Sequence, residues 1–442
     1  MNFKEFNLTN PLLNALDELG FHESTAIQEK AFSVIMSGKD AIGIAQTGTG
    51  KTIAYLLPCL RQWTFSKDRS PQILILVPTR ELVMQVVEQA KQLTTYMNVS
   101  IVGVYGGINI KTHIEGVSGK VDILVATPGR LIDLVLNGIL KLKTVKKFVI
   151  DEVDEMLNLG FRHQLLNIID LLPSKRQNLL FSATLTDEIE NFIQNYFNGP
   201  LKIETAPAGS RLKNIEQIIY AIPNHNTKVN LLKLLLKNQV DFNKVLVFVA
   251  TKEKADDLYK LISEAFTNDV AIIHSNKNQN ARFRTLQQFQ DGICRILIAT
   301  NVISRGLDVS EVSHIINFDT PDVAEDYIHR IGRTGRAEKK GNAITFVTER
   351  DFEYLEKIQN LMNYKIPQNN LPEHLEISTV LCEDEYPKIR MKTIQIKSAN
   401  GEAVGASFHE KSDKNKKVNN KIRRSEKMKI KYGKPKTKGQ KK

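Results

Sequence analysis

Short apolar runs closed by turn-forming residues recur as far as about residue 346, and amphipathic stretches long enough for helices fill the intervals. A continuous apolar run, unlike an alternating one, suits a strand covered on both faces. The first block of runs is 41–45, 73–77, 100–104, 123–126, 148–150 and 178–181. The second is 215–222, 244–249, 270–273, 295–299, 314–317 and 342–346. Thr205-Ala-Pro-Ala-Gly-Ser210, between the blocks, has the composition of a linker. The pattern predicts an α/β protein with two tandem doubly wound parallel-sheet domains, 1–206 and 207–365. Beyond residue 365 the alternation fails. Pro367, Pro372 and Pro387 punctuate an irregular extension, 366–410, that leads into a final segment, 411–442.

Charge separates that final segment from the rest. The chain has 442 residues and a net charge of +12, yet 411–442 holds fifteen Lys and Arg against two acids, leaving 46 basic and 47 acidic residues in 1–410. A lysine-rich stretch with few large apolar residues cannot bury enough surface to offset its ordering entropy, so a disordered tail is expected. Such a tail either keeps the protein in solution or tethers polyanions in a salt-sensitive way. No apolar run is long enough to span a membrane, and no basic-then-apolar leader follows Met1. Cys59, Cys294 and Cys382 lack metal-ligand spacing, which suits a reducing, cytoplasmic setting.

Against this background one string carries chemistry. Ala45-Gln46-Thr47-Gly48-Thr49-Gly50-Lys51-Thr52 lies between an apolar strand and an apolar helix start, the geometry in which backbone N–H groups converge on phosphate. Lys51 is placed to reach the β- and γ-phosphates, and Thr52 to ligate Mg²⁺. Alone, the string also suits a plain Gly/Thr turn, and Ala45 stands where the general pattern has Gly. One hundred residues on, Asp151-Glu152-Val153-Asp154 follows a second apolar strand. Acids there also suit a solvated turn. Beside a phosphate loop, Asp151 is expected to hold Mg²⁺ through water and Glu152 to orient or deprotonate the attacking water.

In this order the motifs resemble those of the DEAD-box RNA helicases, from about Phe3 to Phe346. The resemblance implies two RecA-like domains, ATP and Mg²⁺ as cofactors, RNA as partner and a monomeric core, and leaves ribonucleoprotein assemblies open. Phe21 and Gln28 match the aromatic and the glutamine that the family uses on adenine, with Ser24 where it usually has Pro. The segments Pro78-Thr79-Arg80, Gly106-Gly107 and Thr127-Pro128-Gly129-Arg130 resemble those that grip the RNA backbone, as do Thr251, Gln279, Arg282 and Thr300. Ser182-Ala-Thr184 resembles the element coupling nucleotide to RNA, and the place of His329 in its motif implies a link across the cleft to Asp154 or the Ser182 loop. Gly306 and Asp308 match a nucleotide contact, and Arg333 and Arg336 match arginine fingers; as a bare string, that Arg/Gly cluster would read as a basic loop. Val153 replaces the alanine of the family name. The expected activity is RNA-dependent ATPase coupled to local duplex unwinding, in a general-type bacterial protein. The alternative is an ATP-gated RNA clamp or an RNA–protein remodeller without useful duplex unwinding; a DNA translocase fits the adenine-reading motif less well, and a plain NTPase leaves the RNA-facing motifs unexplained.

Overall fold

The computed structural model describes residues 1–46, 48–205, 214–301, 312–335, 340–382 and 385–386. Within Met1–Tyr386, one compact unit, the strands form two seven-stranded sheets, every pairing parallel. The first contains β1 (Ala41–Ile44), β2 (Ile73–Leu76), β3 (Ile101–Val104), β4 (Ile123–Ala126), β5 (Lys147–Asp151), β6 (Gln177–Ser182) and β7 (Leu201–Glu204), in the order β3-β4-β2-β5-β6-β1-β7. The second contains β8 (Ile215–Ala221), β9 (Val245–Phe248), β10 (Val270–Ile273), β11 (Ile296–Ala299), β12 (His314–Asn317), β13 (Gly341–Val347) and β14 (Gln368–Asn369), in the order β10-β11-β9-β12-β13-β8-β14.

The central strands are the continuous apolar runs of the sequence, buried along their whole length. Alternate residues feed opposite faces: Ile73 and Ile75 join one core of the first sheet, Leu74 and Leu76 the other. Each fully buried aliphatic side chain of this kind contributes about 1.5–3 kcal/mol relative to exposure. Helices enter from the strand ends through Thr79, Thr186, Asn224, Thr251 and Asn278, whose side chains accept hydrogen bonds from first-turn amides. The second sheet continues past residue 365, because β14 pairs with β8 and Leu371 and Leu375 pack on its core. Among the described residues no helix is long and apolar enough to cross a membrane.

Strand order sorts the two kinds of chemistry before any side chain is considered. In the first sheet β1, β6 and β5 are neighbours, and their C-terminal ends carry the phosphate loop, Ser182 and Asp151. The strands β3, β4 and β2 form the other half, and they lead into Gly107, Thr127 and Thr79. In the second sheet β10, β11 and β9 lead into Arg282, Thr300 and Thr251. Open parallel sheets present their functional loops at these carboxyl ends.

Candidate nucleotide and RNA cleft

The phosphate loop closes on Gly50, whose φ of +85° is one that side-chain-bearing residues rarely adopt. A Cβ there would collide with Gln28 Nε2. The helix Lys51–Arg61 then begins with no side-chain cap, leaving its first amides for an external acceptor. Lys51 is only 8% exposed, and its Nζ has no hydrogen-bond partner among the described residues. A buried ammonium without an acceptor is costly, and an anion in the loop removes that cost.

Gln28 bridges Thr25 and the phosphate loop. Its Oε1 accepts from Thr25 N at 2.9 Å and its Nε2 donates to Gly50 O at 3.2 Å, while Thr25 Oγ1 donates to Thr49 O at 2.8 Å. Phe21, 42% exposed, offers an open ring at the same cavity. Ser24 replaces a proline ring's rigidity with two hydrogen bonds, because both its N and its Oγ donate to Met1 O at 2.9 Å.

At the end of β5, burial and the neighbouring Glu152 push Asp151 up to about 6, against the opposing pull of Lys51. Tyr55 Oη donates to Asp151 Oδ2 at 3.0 Å, and burial holds this phenol well above its ordinary pKa, so it remains a donor. Glu152 has φ 52° and ψ 51°, a left-handed conformation unusual for a residue with a side chain. Strain of this kind costs about 1–3 kcal/mol and clusters at functional sites. Val153 is fully buried in the core with Ile150 and Met156, where its extra methyls are absorbed.

Asp154 Oδ2 accepts from Ala183 N, Thr184 N and Thr184 Oγ1, each at 3.1 Å, and lies 3.6 Å from His329 Nε2 on the second lobe. Burial alone would raise Asp154, but His329, Lys51 and the Ser182 hydroxyl outweigh it and hold the carboxyl well below the ordinary range. Burial likewise opposes charge on His329, and Asp154 overcomes it, so the imidazole titrates above its usual value. The charged pair therefore stabilises the contact fully below the ordinary histidine pKa and loses that contribution as pH rises through the raised one. On the acid side the contribution is lost as pH falls through the depressed Asp154 value.

These residues converge on one cavity of about 440 Å³, a size suited to a nucleotide. Phe21, Gln28, Gly48, Gly50, Lys51, Thr52, Asp151 and Glu152 line it from the first lobe, and Arg333 lines it from the second. Gln46 and Thr49 close the loop beneath it through Thr49 Oγ1, which donates to Gln46 O at 2.8 Å. Thr47, Gly306, Asp308 and Arg336 lie outside the described residues, as does the side chain of Gln279.

A second cavity, about 420 Å³, also draws on both lobes, through Gly107 and Ile108 on one side and Asn278, Asn280, Ala281 and Arg284 on the other. Gly107 has φ +83°, and Gly129 has open space where a Cβ would point, so backbone can approach a ligand closely at both. Thr79 caps the helix Arg80–Leu93, and Pro128 opens the helix Pro128–Leu136. Thr127 Oγ1 accepts from Gly106 N at 3.3 Å. Thr251 caps the helix Lys252–Ser263, and Thr300 is buried at the end of β11. Two expected RNA contacts are engaged within the protein: Arg130 donates to Ile108 O at 2.7 Å and meets His113 at 2.6 Å, and Arg282 pairs with Glu81 at 2.8 Å. Sequence reading did not find Tyr55, although it stands four residues after Lys51 on one helix face. Nor did it find Arg330, fully buried and donating to Asn301 Oδ1 at 2.9 Å and Asn317 Oδ1 at 3.1 Å, which ties β11's loop to the helix Ala324–Ile331.

Comparison with known proteins agrees with this arrangement. Residues 25–192 match the DEAD/DEAH box helicase family, and residues 227–338 match the helicase conserved C-terminal domain. The chain is 38% identical over 385 residues to the ATP-dependent RNA helicase RhlB of Pseudomonas syringae, covering 84% of this chain and 96% of that one. It is 37% identical over 371 residues to the DEAD-box ATP-dependent RNA helicase CshA of Geobacillus kaustophilus, covering 84% and 78%. Among solved structures, Saccharomyces cerevisiae Dbp5 bound to RNA and ADP BeF3 superimposes with a TM-score of 0.76 at 31% identity, covering 84% of this chain and 95% of that one. Two RecA-like sheets, an uncapped phosphate loop facing an arginine of the opposite lobe and these relatives together place the chain in the DEAD-box family of ATP-dependent RNA helicases.

Proposed function

We propose that this helicase opens short RNA duplexes locally, by closing its two lobes on ATP and one RNA strand. The observation that carries the proposal is the single cavity shared by Lys51, Asp151, Glu152 and, from the other lobe, Arg333. Lys51 and the open helix N-terminus bind the phosphates, while Phe21 stacks on adenine and Gln28 reads its edge. Thr52 and Asp151 would hold Mg²⁺, which would supply charge neutralisation to the phosphates. Glu152 takes the proton of the attacking water as the bond from γ-phosphorus to the bridging oxygen breaks, leaving ADP and phosphate. Arg333 neutralises charge spreading on the transferred group, with Arg336 assigned the same work by its motif. Because Arg333 belongs to the second lobe, hydrolysis requires closure, and the Asp154–His329 pair reports that closure to Ser182 and Thr184.

Thr79, Arg80, Gly107, Thr127, Gly129, Thr251 and Thr300 provide an RNA track at adjacent strand ends, mostly of small or hydroxyl-bearing residues suited to backbone rather than base contacts. The basic segment 411–442 adds a sequence-indifferent tether, each neutralised phosphate contributing about 0.7 to the slope of log affinity on log salt. A reducing cytoplasm suits the three free thiols. The test is RNA-stimulated ATPase and strand displacement, measured for the full chain and for a chain ending at Glu410, at two salt concentrations. Displacement by the full chain is expected. The shortened chain should need more RNA for half-maximal ATPase, show a flatter salt dependence and keep its maximal rate. ATPase without displacement would favour the clamp, and an unchanged RNA requirement would remove the tether.

A further inference from the structure

On the RNA-facing side of the cleft, Arg80 of the first lobe lies among aromatic rings. Its guanidinium carbon is 4.5 Å from the Tyr105 ring centroid and 5.1 Å from that of Phe283, which belongs to the helix Gln279–Gln290 of the second lobe. The adjacent carboxylate, Glu81, pairs at 2.8 Å with Arg282 and acts on Arg80 only through its charge. Arg80 Nε and Nη1 are buried with no hydrogen-bond partner among the described residues. A guanidinium in that position gains from ring faces, and its Nε and Nη1 are left as donors to which an RNA phosphate would supply acceptors. Tyr105 shares Arg80's lobe, whereas Phe283 belongs to the other, so of the two ring contacts only that of Phe283 depends on how the lobes are placed.

We propose that Phe283 is a positioning residue for RNA: on closure its ring completes the aromatic surround of Arg80 and fixes that guanidinium toward the RNA backbone. Closure and phosphate binding then reinforce each other, since each presents Arg80 to the other's partner. This rests on the assignment of Arg80 to RNA, and the experiment separates the two.

The concentration of RNA giving half-maximal ATPase, and kcat at saturating RNA, are measured for F283L, F283W, R80Q and R80Q/F283L. Thermal unfolding shows which variants are folded, and F283M replaces F283L should the latter not fold. F283L removes the π face at similar bulk and should raise the RNA requirement about 2- to 5-fold, the equivalent of one partly exposed cation–π contact. F283W should restore the wild-type requirement, and F283L should add nothing in the R80Q background, outcomes that loss of mere packing would not give. Equal requirements for F283L and wild type, or F283W behaving as F283L does, would overturn the role of Phe283 while leaving Arg80 on RNA. An R80Q enzyme with an unchanged RNA requirement would overturn the assignment of Arg80, and this inference with it.

Discussion

The two lobes share one strand order but treat the same corner in opposite ways. In the first, β1 lies beside β6 and passes through Gly50 into a helix whose N-terminus has no side-chain cap. In the second, β8 lies correspondingly beside β13 and passes through Pro223 into Asn224. Asn224 Oδ1 accepts from Thr227 N at 2.9 Å, which caps the helix His225–Leu236 from within. An extended stretch of chain then covers the same helix: Asn224, Asn226 and Asn230 donate to the carbonyls of Ser378, Val380 and Glu376 at 2.6, 2.9 and 2.9 Å. Both helices have a positive N-terminal dipole and orphan amides. Only the first leaves them to a ligand. The fold supplies two equivalent corners, and a glycine in one place and an asparagine in the other distinguish the proposed nucleotide site from its capped counterpart.

The largest effect should come from breaking the open corner's chemistry without closing it. Glu152→Gln keeps the length of the side chain and removes its basicity. ATP hydrolysis should fall by about 10²- to 10⁴-fold, the usual contribution of a general base, while ATP and RNA binding persist. Single-turnover ATPase together with equilibrium RNA binding checks both halves. Turnover near the wild-type rate would mean that another group handles the water's proton.

Most of this corner was legible in the sequence because its residues fall in consecutive strings at strand ends, where spacing alone suggests the geometry. The central strands were legible for a related reason, since burial on both faces demands unbroken apolar runs. Edge elements were not. Leu201-Lys-Ile-Glu204 alternates and only Ile203 is buried, so β7 has no such run, and β14 is two residues long. Contacts between distant positions were equally silent. Tyr55 reaches Asp151 across 96 residues of sequence. Arg282 carries nothing in its local string to say that Glu81, rather than phosphate, is its partner in this conformation. The hold of three asparagines on residues 376–380 was hidden by the extension's irregular composition, punctuated by Pro367, Pro372 and Pro387.

An intermediate effect is expected where the open corner meets the base. Gln28 holds Gly50 and Thr25 by its amide, so Gln28→Ala removes both the proposed adenine reader and a strut of the phosphate loop. Each buried partner left unsatisfied costs about 1–3 kcal/mol, so the KM for ATP should rise by about 10-fold or more. The wild type should strongly prefer ATP to GTP, because one acceptor and one donor match adenine's edge and mismatch guanine's. Steady-state ATPase and GTPase of both proteins test this. A variant that loses ATP affinity yet keeps the full preference would show that Gln28 acts as a strut and that base choice is made elsewhere.

The smallest effect should come from the closed corner, and its value lies in what does not change. Asn224→Ala removes the cap on Thr227 and the hydrogen bond to Ser378 O, with Asn226 and Asn230 still holding the neighbouring carbonyls. Losing a cap costs about 0.5–2 kcal/mol. For a lobe of this size each 1 kcal/mol corresponds to about 2–4 °C, so a melting transition lowered by a few degrees is expected. ATP affinity should remain at the wild-type value, since no part of this helix reaches the nucleotide cavity. Thermal unfolding and ATP titration on the same preparation measure both. If Asn224→Ala weakened ATP binding as much as it lowered the melting point, the two corners would be coupled, and the second helix N-terminus would be part of the nucleotide machinery rather than its sealed counterpart.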